Sequence, residues 1–494
     1  MSALLVAGTT SDAGKSIVTT GLCRALSRRG VKVAPFKSQN MSNNSMVCAD
    51  GAEIGRAQWI QALAANAEPE AAMNPVLLKP GSDQRSHVVV MGQPAGEVSA
   101  RDFATGRAHL ARAAYAAFDD LSSRFDVVVA EGAGSPAEIN LRSSDYVNMG
   151  LARHASIPTV VVGDIDRGGV FASFFGTVAL LEPADQRLLA GFVVNKFRGD
   201  RSLLQPGLDT LRELTGRPTY GVLPWHPDLW LDSEDALDLD GRRARSDRPA
   251  LRVAVVRLPR ISNFTDVDAL GLEPDLDVVF ASDRRALADA DLVVLPGTRA
   301  TIADLAWLRE RGLDRAVLAH AAAGRPVLGI CGGFQMLGRT VSDPAGVEGA
   351  AGAVVEGLGL LDVSTEFGAE KVLRLSAGSA LGHPTTGYEI HHGRVTRGSS
   401  AEEFLGGART ATVLGTMWHG SLESDGFRSA LLASVAALRG VPWAPSGVSF
   451  PAARARRLDL LGDLAEEHLD VDALLALASS GASSLPVLPP GADR

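Results

Sequence analysis

Residues 8–16 could bind phosphate, because the sequence GTTSDAGKS lies between an apolar run and a helix-like stretch. Backbone N–H groups around Gly14 would point at phosphate oxygens, Lys15 would bridge the β- and γ-phosphates, and the Ser16 hydroxyl would be a ligand of Mg²⁺. The strict pattern has glycine six residues before the lysine, where this chain has Thr9. A glycine turn into a helix is the alternative, but Gly-Lys-Ser directly after a buried strand favours a nucleotide site.

Three acidic residues could supply the carboxylates that a Mg²⁺-ATP site also needs. Glu131 follows the apolar run 127–130, and Asp164 follows the run 159–162. In open α/β sheets, ligands bind at the carboxyl ends of the strands, where these two residues lie. Asp50 lies in the loop-like stretch CADGA. Each residue alone could be a helix cap or a turn residue, but together they favour a metal and substrate site.

Two polar stretches follow further apolar runs. The sequence PFKSQNMSNNS, which begins at Pro35, indicates either a polar loop or a surface that binds a polar substrate. Asn195 follows another run, and its amide could contact an adenine edge. The predicted ATP-binding residues are Thr10, Gly14, Lys15, Ser16 and Asn195; the predicted metal ligands are Ser16, Asp50 and Glu131; and the predicted substrate-binding residues are Lys37, Gln39, Asn40 and Asp164.

Cys331 is flanked by glycines in the sequence GICGG, directly after the apolar run 327–330. This is the pattern of a nucleophile elbow with cysteine in place of serine, in which a sharp turn exposes the sulfur. Gly332 would offer one backbone N–H to an oxyanion, and Gly297, after an earlier strand, the second. A buried structural cysteine is the alternative, which the flanking glycines disfavour.

A thiolate nucleophile needs an imidazole base. His419 follows the apolar run 411–414, while His391 and His392 are alternatives. We favour His419, because an elbow fold brings the end of a late strand beside the nucleophile. Glu423 is near in sequence, but its offset of four residues leaves open which residue orients the imidazole.

Apolar runs of buried-strand length alternate with helix-like stretches in both halves of the chain. They lie at 4–7, 31–36, 127–130, 159–162, 191–194, 251–258, 278–280, 292–295 and 327–330. This alternation predicts two α/β domains with parallel sheets. We expect the first at residues 1–235 and the second at 251–440, with a charged linker between them. Residues 441–494 would be an extension that ends in a frayed tail from Ser479.

The composition limits the possible functions. The chain has 494 residues, 46% hydrophobic and 21% charged, which is ordinary for a globular protein. Its formal net charge of −9 disfavours nucleic acid or an anionic membrane as a partner. The 3 cysteines show no Cys-x-x-Cys spacing, which argues against a disulfide framework and structural zinc. With no signal peptide and no apolar run long enough to span a bilayer, we expect a cytoplasmic protein.

The two predicted sites could act together in one reaction. Glutamine would release ammonia at Cys331, while ATP would convert a carboxylate into an acyl phosphate in the other half. Ammonia would then displace phosphate and leave an amide. Free ammonia is mostly protonated at neutral pH, so we expect it to travel inside the protein.

The motifs resemble, in the same order, those of the glutamine-hydrolysing cobyric acid synthase family of cobalamin biosynthesis. The resemblance extends from Leu4 to about Arg439. The blocks that carry it are 8–16, 35–42, 50–58, 131–141, 164–172, 195–200, Cys331, 388–391 and His419. It implies that carboxylates b, d, e and g of adenosylcobyrinic acid a,c-diamide are amidated in turn, each with glutamine and ATP.

The resemblance also implies a dethiobiotin-synthetase-like P-loop domain, with Ser16, Asp50 and Glu131 near Mg²⁺, followed by a class I glutamine amidotransferase-like domain. Glutamine amidotransferases of that class usually carry His-x-Glu, whereas this chain has Ser421 there. The cobyric acid synthase family also tends to lack that glutamate. Corrinoid, glutamine and ATP would be the small-molecule partners, and the oligomeric state is left open.

Three other kinds of protein share some of these features. Cobyrinic acid a,c-diamide synthase is disfavoured by residues 39–42, which continue differently in that family. An amidotransferase of a peptidoglycan precursor usually has its two activities on separate chains. An ATPase of the Min/Par type would have a second lysine early in the loop and a basic or amphipathic terminus, and it would leave Cys331 without a role.

Overall fold

The computed structural model describes residues 2–80, 85–99, 107–227, 229, 250–481 and 485–488. The predicted linker lies almost wholly outside these ranges. Within them, no helix is both long enough and apolar enough to pass through a bilayer.

The N-terminal part of the chain alternates strands with helices. Its strands are β1 (Ser2–Gly8), β2 (Val33–Phe36), β3 (Gln39–Met41), β4 (Ser45–Val47), β5 (Glu53–Gly55), β6 (Val76–Pro80), β7 (Arg85–Val90), β8 (Gln93–Ser99), β9 (Val127–Glu131), β10 (Thr159–Asp164), β11 (Leu189–Phe197) and β12 (Thr219–Pro224). Its helices are α1 (Lys15–Arg28), α2 (Arg56–Ala64), α3 (Ala108–Arg124), α4 (Met149–Ala155), α5 (Val170–Leu180), α6 (Pro183–Gln186) and α7 (Gln205–Thr215).

Six parallel strands form the main sheet of this domain, in the order β12-β11-β10-β1-β9-β2. The strands β1, β9 and β10 are buried along almost their whole length, as expected for a parallel sheet covered on both faces. In the register of the pairs, Glu131 lies beside Val6 and Asp164 beside Asn195. The carboxyl ends of β1, β9, β10 and β11 therefore meet at one edge.

The polar segment after β2 folds into short strands. β3 joins a four-stranded sheet of order β3-β6-β7-β8, and β4 pairs with β5. The polar side chains of Gln39, Asn40 and Ser45 are buried, and hydrogen bonds compensate their loss of water. Asn40 Nδ2, for example, donates to Gln58 Oε1 (3.0 Å).

The C-terminal domain has a second alternating pattern. Its strands are β13 (Leu251–Val256), β14 (Leu276–Ala281), β15 (Leu292–Leu295), β16 (Val327–Ile330), β17 (Thr340–Asp343), β18 (Ala353–Glu356), β19 (Val363–Ala380), β20 (His383–Arg397), β21 (Glu402–Phe404), β22 (Gly407–Arg409) and β23 (Val413–Thr416). Its helices are α8 (Arg284–Ala288), α9 (Thr301–Glu310), α10 (Leu313–Ala322), α11 (Gly332–Leu337) and α12 (Asp425–Arg439).

The second sheet has the order β14-β13-β15-β16-β23-β22-β21, and its first five strands are parallel. β16 and β23 are neighbours, with Ile330 beside Thr416 in their register. The residues that follow these strands, Cys331 and His419, are therefore held at the same edge of the sheet. The predicted architecture of two parallel α/β domains is confirmed.

The C-terminal extension folds back onto the N-terminal domain. Helices α13 (Phe450–His468) and α14 (Val471–Ser480) lie against α1. Arg24 on α1 pairs with Asp459 on α13 (2.6 Å). Further along, Leu488 N donates to Gln186 Oε1 (2.7 Å). The described part of the predicted frayed tail is thus held against the domain that carries the phosphate-binding loop.

Candidate active site

The phosphate-binding loop closes around the side chain of Lys15. Its Nζ donates to Thr10 O (2.9 Å) and Ser11 O (3.1 Å). Gly14 has φ 97°, and a Cβ there would lie 1.9 Å from Asn195 Nδ2, so only glycine fits. Asn195 Nδ2 also donates to the backbone of the loop, at Ala13 O (3.0 Å). Thr10, Gly14, Lys15 and Asn195 are thus brought together, with Asn195 supporting the loop.

Glu131 is the buried carboxylate of the nucleotide site. Its Oε1 accepts from Ser16 Oγ (2.9 Å) and Lys37 Nζ (2.9 Å), and its Oε2 accepts from Gln61 Nε2 (2.6 Å). Burial alone would raise the pKa of Glu131, but Lys37, Lys15 and Gln61 outweigh it and lower that pKa. The carboxylate is therefore ionised beside the Ser16 hydroxyl.

The oxygens of Ser16 and Glu131 are hard ligands of the kind that Mg²⁺ prefers. Within the described ranges, no three His, Cys, Asp or Glu side chains are grouped to hold a metal ion. This donor set fits Mg²⁺ that arrives with a nucleotide, since Mg²⁺ usually takes one or two protein ligands and completes its shell with phosphate and water.

The two other predicted carboxylates lie apart from Glu131. Asp50 is exposed in the turn between β4 and β5, where its Oδ1 accepts from Ala52 N (3.0 Å). The structure thus gives Asp50 a turn role and does not bring it to Ser16. Asp164 ends β10, and its Oδ2 pairs with Lys196 Nζ (2.7 Å).

A cavity of about 440 Å³ lies next to the loop, between the two domains. Lys15, Ser16, Lys37, Gln39, Asn40 and Glu131 line it from the N-terminal domain, and Pro259, Ile261 and Phe264 from the C-terminal one. Gln39 Oε1 accepts from Arg107 and Tyr146 (both 2.5 Å), which fixes its amide at the wall. Of the predicted substrate-binding residues, Lys37, Gln39 and Asn40 line this cavity and Asp164 does not.

Cys331 forms a nucleophile elbow at the junction of β16 and α11. Its backbone has φ 50° and ψ −110°, a strained conformation that non-glycine residues adopt mainly at functional sites. The residue is 6% exposed and lines a pocket together with His419, His391 and His392. The alternative of a structural cysteine buried in the core does not describe this geometry.

His419 is the imidazole that meets the sulfur. It lines the same pocket as Cys331, and its Nδ1 lies 2.7 Å from Asp266 Oδ2. Burial alone would lower the pKa of His419, but the charges of Asp266 and Cys331 raise it to about 10. At neutral pH the imidazole is therefore protonated.

The two rival histidines are engaged elsewhere. His391 Nε2 lies 3.0 Å from Glu389 Oε2, and its Nδ1 lies 2.8 Å from Gly393 O. His392 Nδ1 lies 3.2 Å from Gly368 O, and burial lowers its pKa to about 4. Both rings line the pocket without taking the position of the base.

Asp266 is the orienting residue that sequence reasoning missed. It lies in a short 3₁₀ helix, Phe264–Leu272, and is 153 residues from His419 along the chain. The one signal for it was an acidic residue in the segment after β13, at the edge where the nucleophile lies. Glu423 does not take this position, because its Oε1 pairs with Arg56 across the domain boundary (2.6 Å).

The two predicted oxyanion glycines lie beside the nucleophile. A Cβ on Gly297 would come within 2.8 Å of His419 Cε1, so a larger residue would displace the imidazole. A Cβ on Gly332 would lie 3.2 Å from Thr298 N, which places the two backbone segments in contact. Their donation to an oxyanion stays a prediction.

Comparison with known proteins agrees with this geometry. Residues 4–238 match the CobQ/CobB/MinD/ParA nucleotide binding domain, and residues 252–427 match the CobB/CobQ-like glutamine amidotransferase domain. The chain is 72% identical to the cobyric acid synthase of Mycolicibacterium gilvum (strain PYR-GCK) over 497 residues, and 72% identical to that of Mycobacterium tuberculosis (strain ATCC 25618 / H37Rv) over 499 residues. Each alignment covers 100% of both chains.

The chain belongs to the cobyric acid synthase family. The family predicted from the sequence is thereby confirmed. Members of the cobyric acid synthase family are glutamine amidotransferases of cobalamin synthesis, and the two matched domains contain the two sites described above.

In this amidotransferase, Asp266→Asn should lower glutamine hydrolysis by about 10²-fold, because the imidazole loses the carboxylate that holds its tautomer and charge. Without that charge the pKa of His419 falls from about 10 toward its ordinary value. His419 would then lose its proton at lower pH, so the alkaline limb of the pH–rate profile should shift to lower pH. Glutamate release measured against pH tests this, with Glu403→Gln, whose side chain is 75% exposed, as the control that keeps the profile. An unchanged alkaline limb in Asp266→Asn would contradict the assignment.

Proposed function

We propose that this chain amidates carboxylates b, d, e and g of adenosylcobyrinic acid a,c-diamide to give adenosylcobyric acid, using ATP and glutamine. The observation that carries the proposal is the placement of the two sites. The phosphate-binding loop and residues of the amidotransferase domain line one cavity, and the pocket of Cys331 lies close to it.

Glutamine hydrolysis would begin with attack of the Cys331 sulfur on the side-chain amide carbon. Gly332 and Gly297 would donate backbone N–H groups to the oxyanion that forms. As the carbon–nitrogen bond breaks, His419 would give its proton to the leaving nitrogen and release ammonia. Water would then cleave the thioester to glutamate, with His419 accepting the proton from that water.

The amidation itself would take place in the larger cavity. A substrate carboxylate would attack the γ-phosphorus of ATP, giving ADP and an acyl phosphate. Lys15 would stabilise the charge on the transferred group, and Mg²⁺ held by Ser16 and Glu131 would neutralise the phosphates. Lys37, Gln39 and Asn40 would orient the substrate. Ammonia would then add to the acyl carbon, and inorganic phosphate would leave.

Ammonia would have only a short distance to travel between the sites. Ser262 and Asn263 line the Cys331 pocket, while their neighbours Ile261 and Phe264 line the larger cavity. Asn263 Oδ1 accepts from Ser45 N (2.8 Å), which fastens this thin wall to the nucleotide domain. We infer that ammonia crosses at this wall without entering bulk water.

Mass spectrometry of the corrinoid product tests the substrate assignment. Adenosylcobyrinic acid a,c-diamide incubated with ATP, Mg²⁺ and amide-¹⁵N glutamine should acquire four labelled amides in succession, and none when ATP is omitted. Cobyrinic acid without its a and c amides serves as the rival substrate. Incorporation of only two labels, confined to that rival, would overturn the proposal in favour of the a,c-diamide synthase reaction.

A further inference from the structure

The Cys331 pocket holds charged side chains that the hydrolytic chemistry does not use. Besides the nucleophile and its histidine, the pocket wall contains Lys79, Arg299, Glu348 and Lys371. Lys79 lies on β6 of the nucleotide domain, whereas the other three belong to the amidotransferase domain. The pocket is thus completed by a residue from the other domain.

Two of these cations share one carboxylate. Glu53 is fully buried, and its Oε1 accepts from Lys79 Nζ (2.6 Å) while its Oε2 accepts from Lys371. Lys79 Nζ also donates to Ser45 Oγ (2.9 Å). One negative charge therefore faces two positive ones, and Arg299, which also lines the pocket, adds a third. A buried excess of positive charge is costly unless an anion accompanies it.

The neighbouring histidines respond to this positive field. Burial and then Lys371 and Arg299 lower the pKa of His392 to about 4. Burial and the same cations lower the pKa of His87 to about 3. Both rings are therefore neutral at physiological pH, and they add no further positive charge to the pocket.

Glu348 is the complementary feature of the same wall. Its Oε2 accepts from Thr301 N (2.8 Å), and the nearest cation, Arg299, is 3.7 Å from its Oε1. Burial raises the pKa of Glu348 to about 7, against the opposing effect of Arg299. A cation closer to Glu348 than Arg299 would stabilise its ionised form.

We propose that these side chains bind the charged end of the nitrogen donor, with Glu348 receiving the α-ammonium of L-glutamine and the cations Lys79, Lys371 and Arg299 receiving its α-carboxylate. The inference rests on glutamine hydrolysis at Cys331 and adds how the donor is selected. The free amino-acid end is what distinguishes glutamine from other primary amides. Since Lys79 comes from the nucleotide domain, the glutamine site is complete only when the two domains are joined.

Truncated donors combined with variants of the full-length enzyme test this assignment. Glutaramate keeps the amide and carboxylate of glutamine but lacks its α-ammonium, and 4-aminobutanamide lacks only the α-carboxylate. The unaltered enzyme should prefer glutamine to either by about 30-fold or more in kcat/KM, which is what an unpaired buried charge costs. Ammonia release is measured with each donor.

Glu348→Gln should raise KM for glutamine more than it lowers kcat, and it should largely remove the preference for glutamine over glutaramate. Lys371→Met and Lys79→Met should likewise raise KM for glutamine, and they should largely remove the preference for glutamine over 4-aminobutanamide. Amidation with ammonium salts should be unchanged, which separates donor binding from damage to the fold. Glu370→Gln is the matched control, because Glu370 lies next to Lys371 on β19 but its side chain is 89% exposed.

An unchanged preference between glutamine and glutaramate in Glu348→Gln would overturn the proposal. If the lysine variants lose ammonium-dependent amidation as well, the Glu348 series decides the question alone. Failure of the proposed function itself would look different, since the unaltered enzyme would then release no ammonia from glutamine.

Discussion

Replacing Cys331 by alanine is expected to abolish glutamine-dependent amidation, by about 10⁵-fold or more, while amidation with ammonium salts continues at the rate of the unaltered enzyme. The side chain lies at a strained elbow against His419, and no other described side chain in its pocket carries a thiol. In the proposed mechanism the acyl phosphate would form in the separate cavity, which Cys331 does not line. Initial rates of product formation with each nitrogen donor, at saturating ATP, measure both effects.

The matched control for this variant is Cys48→Ala. Cys48 is also buried, but it lies beside β4 in the nucleotide domain and outside both cavities. It should keep both activities. If Cys331→Ala loses ammonium-dependent amidation to the same extent as glutamine-dependent amidation, the two reactions do not have separate sites, and the scheme of ammonia transfer is wrong.

Helix α2 contacts both the nucleotide site and the segment next to the Cys331–His419 site. Gln61 on this helix donates to the Glu131 carboxylate (2.6 Å). At its other end, Arg56 pairs with Glu423, in the turn that follows His419. Arg56 is only 1% exposed, so this pair is shielded from water and is not a loose surface contact. The geometry of each site is therefore tied mechanically to the other through one short helix.

The sheets could be predicted from the sequence because their signals are local. Each apolar run of the sequence that predicts a strand overlaps one, from Leu4 in β1 to Leu328 in β16. The phosphate-binding loop and the cysteine elbow were equally visible, since glycines must lie within a few residues of Lys15 and Cys331. Strand ends then placed Glu131 and His419 at the correct edges of their sheets.

Contacts made by the tertiary fold could not be predicted from spacing. Asp266 reaches His419 from a 3₁₀ helix 153 residues away, and no sequence pattern joins them. Asp50 was misplaced because an acidic residue before glycine suits both a metal loop and a hairpin turn, and here it forms the turn. The dependence of the Cys331 pocket on Lys79 is equally non-local, because domain packing alone brings that lysine there.

Replacing Lys15 by alanine should eliminate amidation with both nitrogen donors, by about 10³-fold or more, because no acyl phosphate can form without the charge that stabilises the transferred phosphoryl group. Lys15 does not line the Cys331 pocket, where glutamine hydrolysis is proposed to occur, so glutamate release should persist. This is the reverse of the pattern expected for Cys331→Ala. Product amidation, ADP formation and glutamate release should all be measured in one reaction mixture.

A second lysine gives the comparison that isolates this role. Lys32 lies outside the cavity, where its Nζ is 5.2 Å from the centre of the Phe125 ring, so Lys32→Ala should retain amidation with glutamine and with ammonium. Both variants remove one positive charge, so a difference between them cannot come from net charge. Amidation retained in Lys15→Ala would refute the assignment of residues 8–16 as the phosphate-binding loop, because no other feature of that loop can replace an ammonium group at the transferred phosphate.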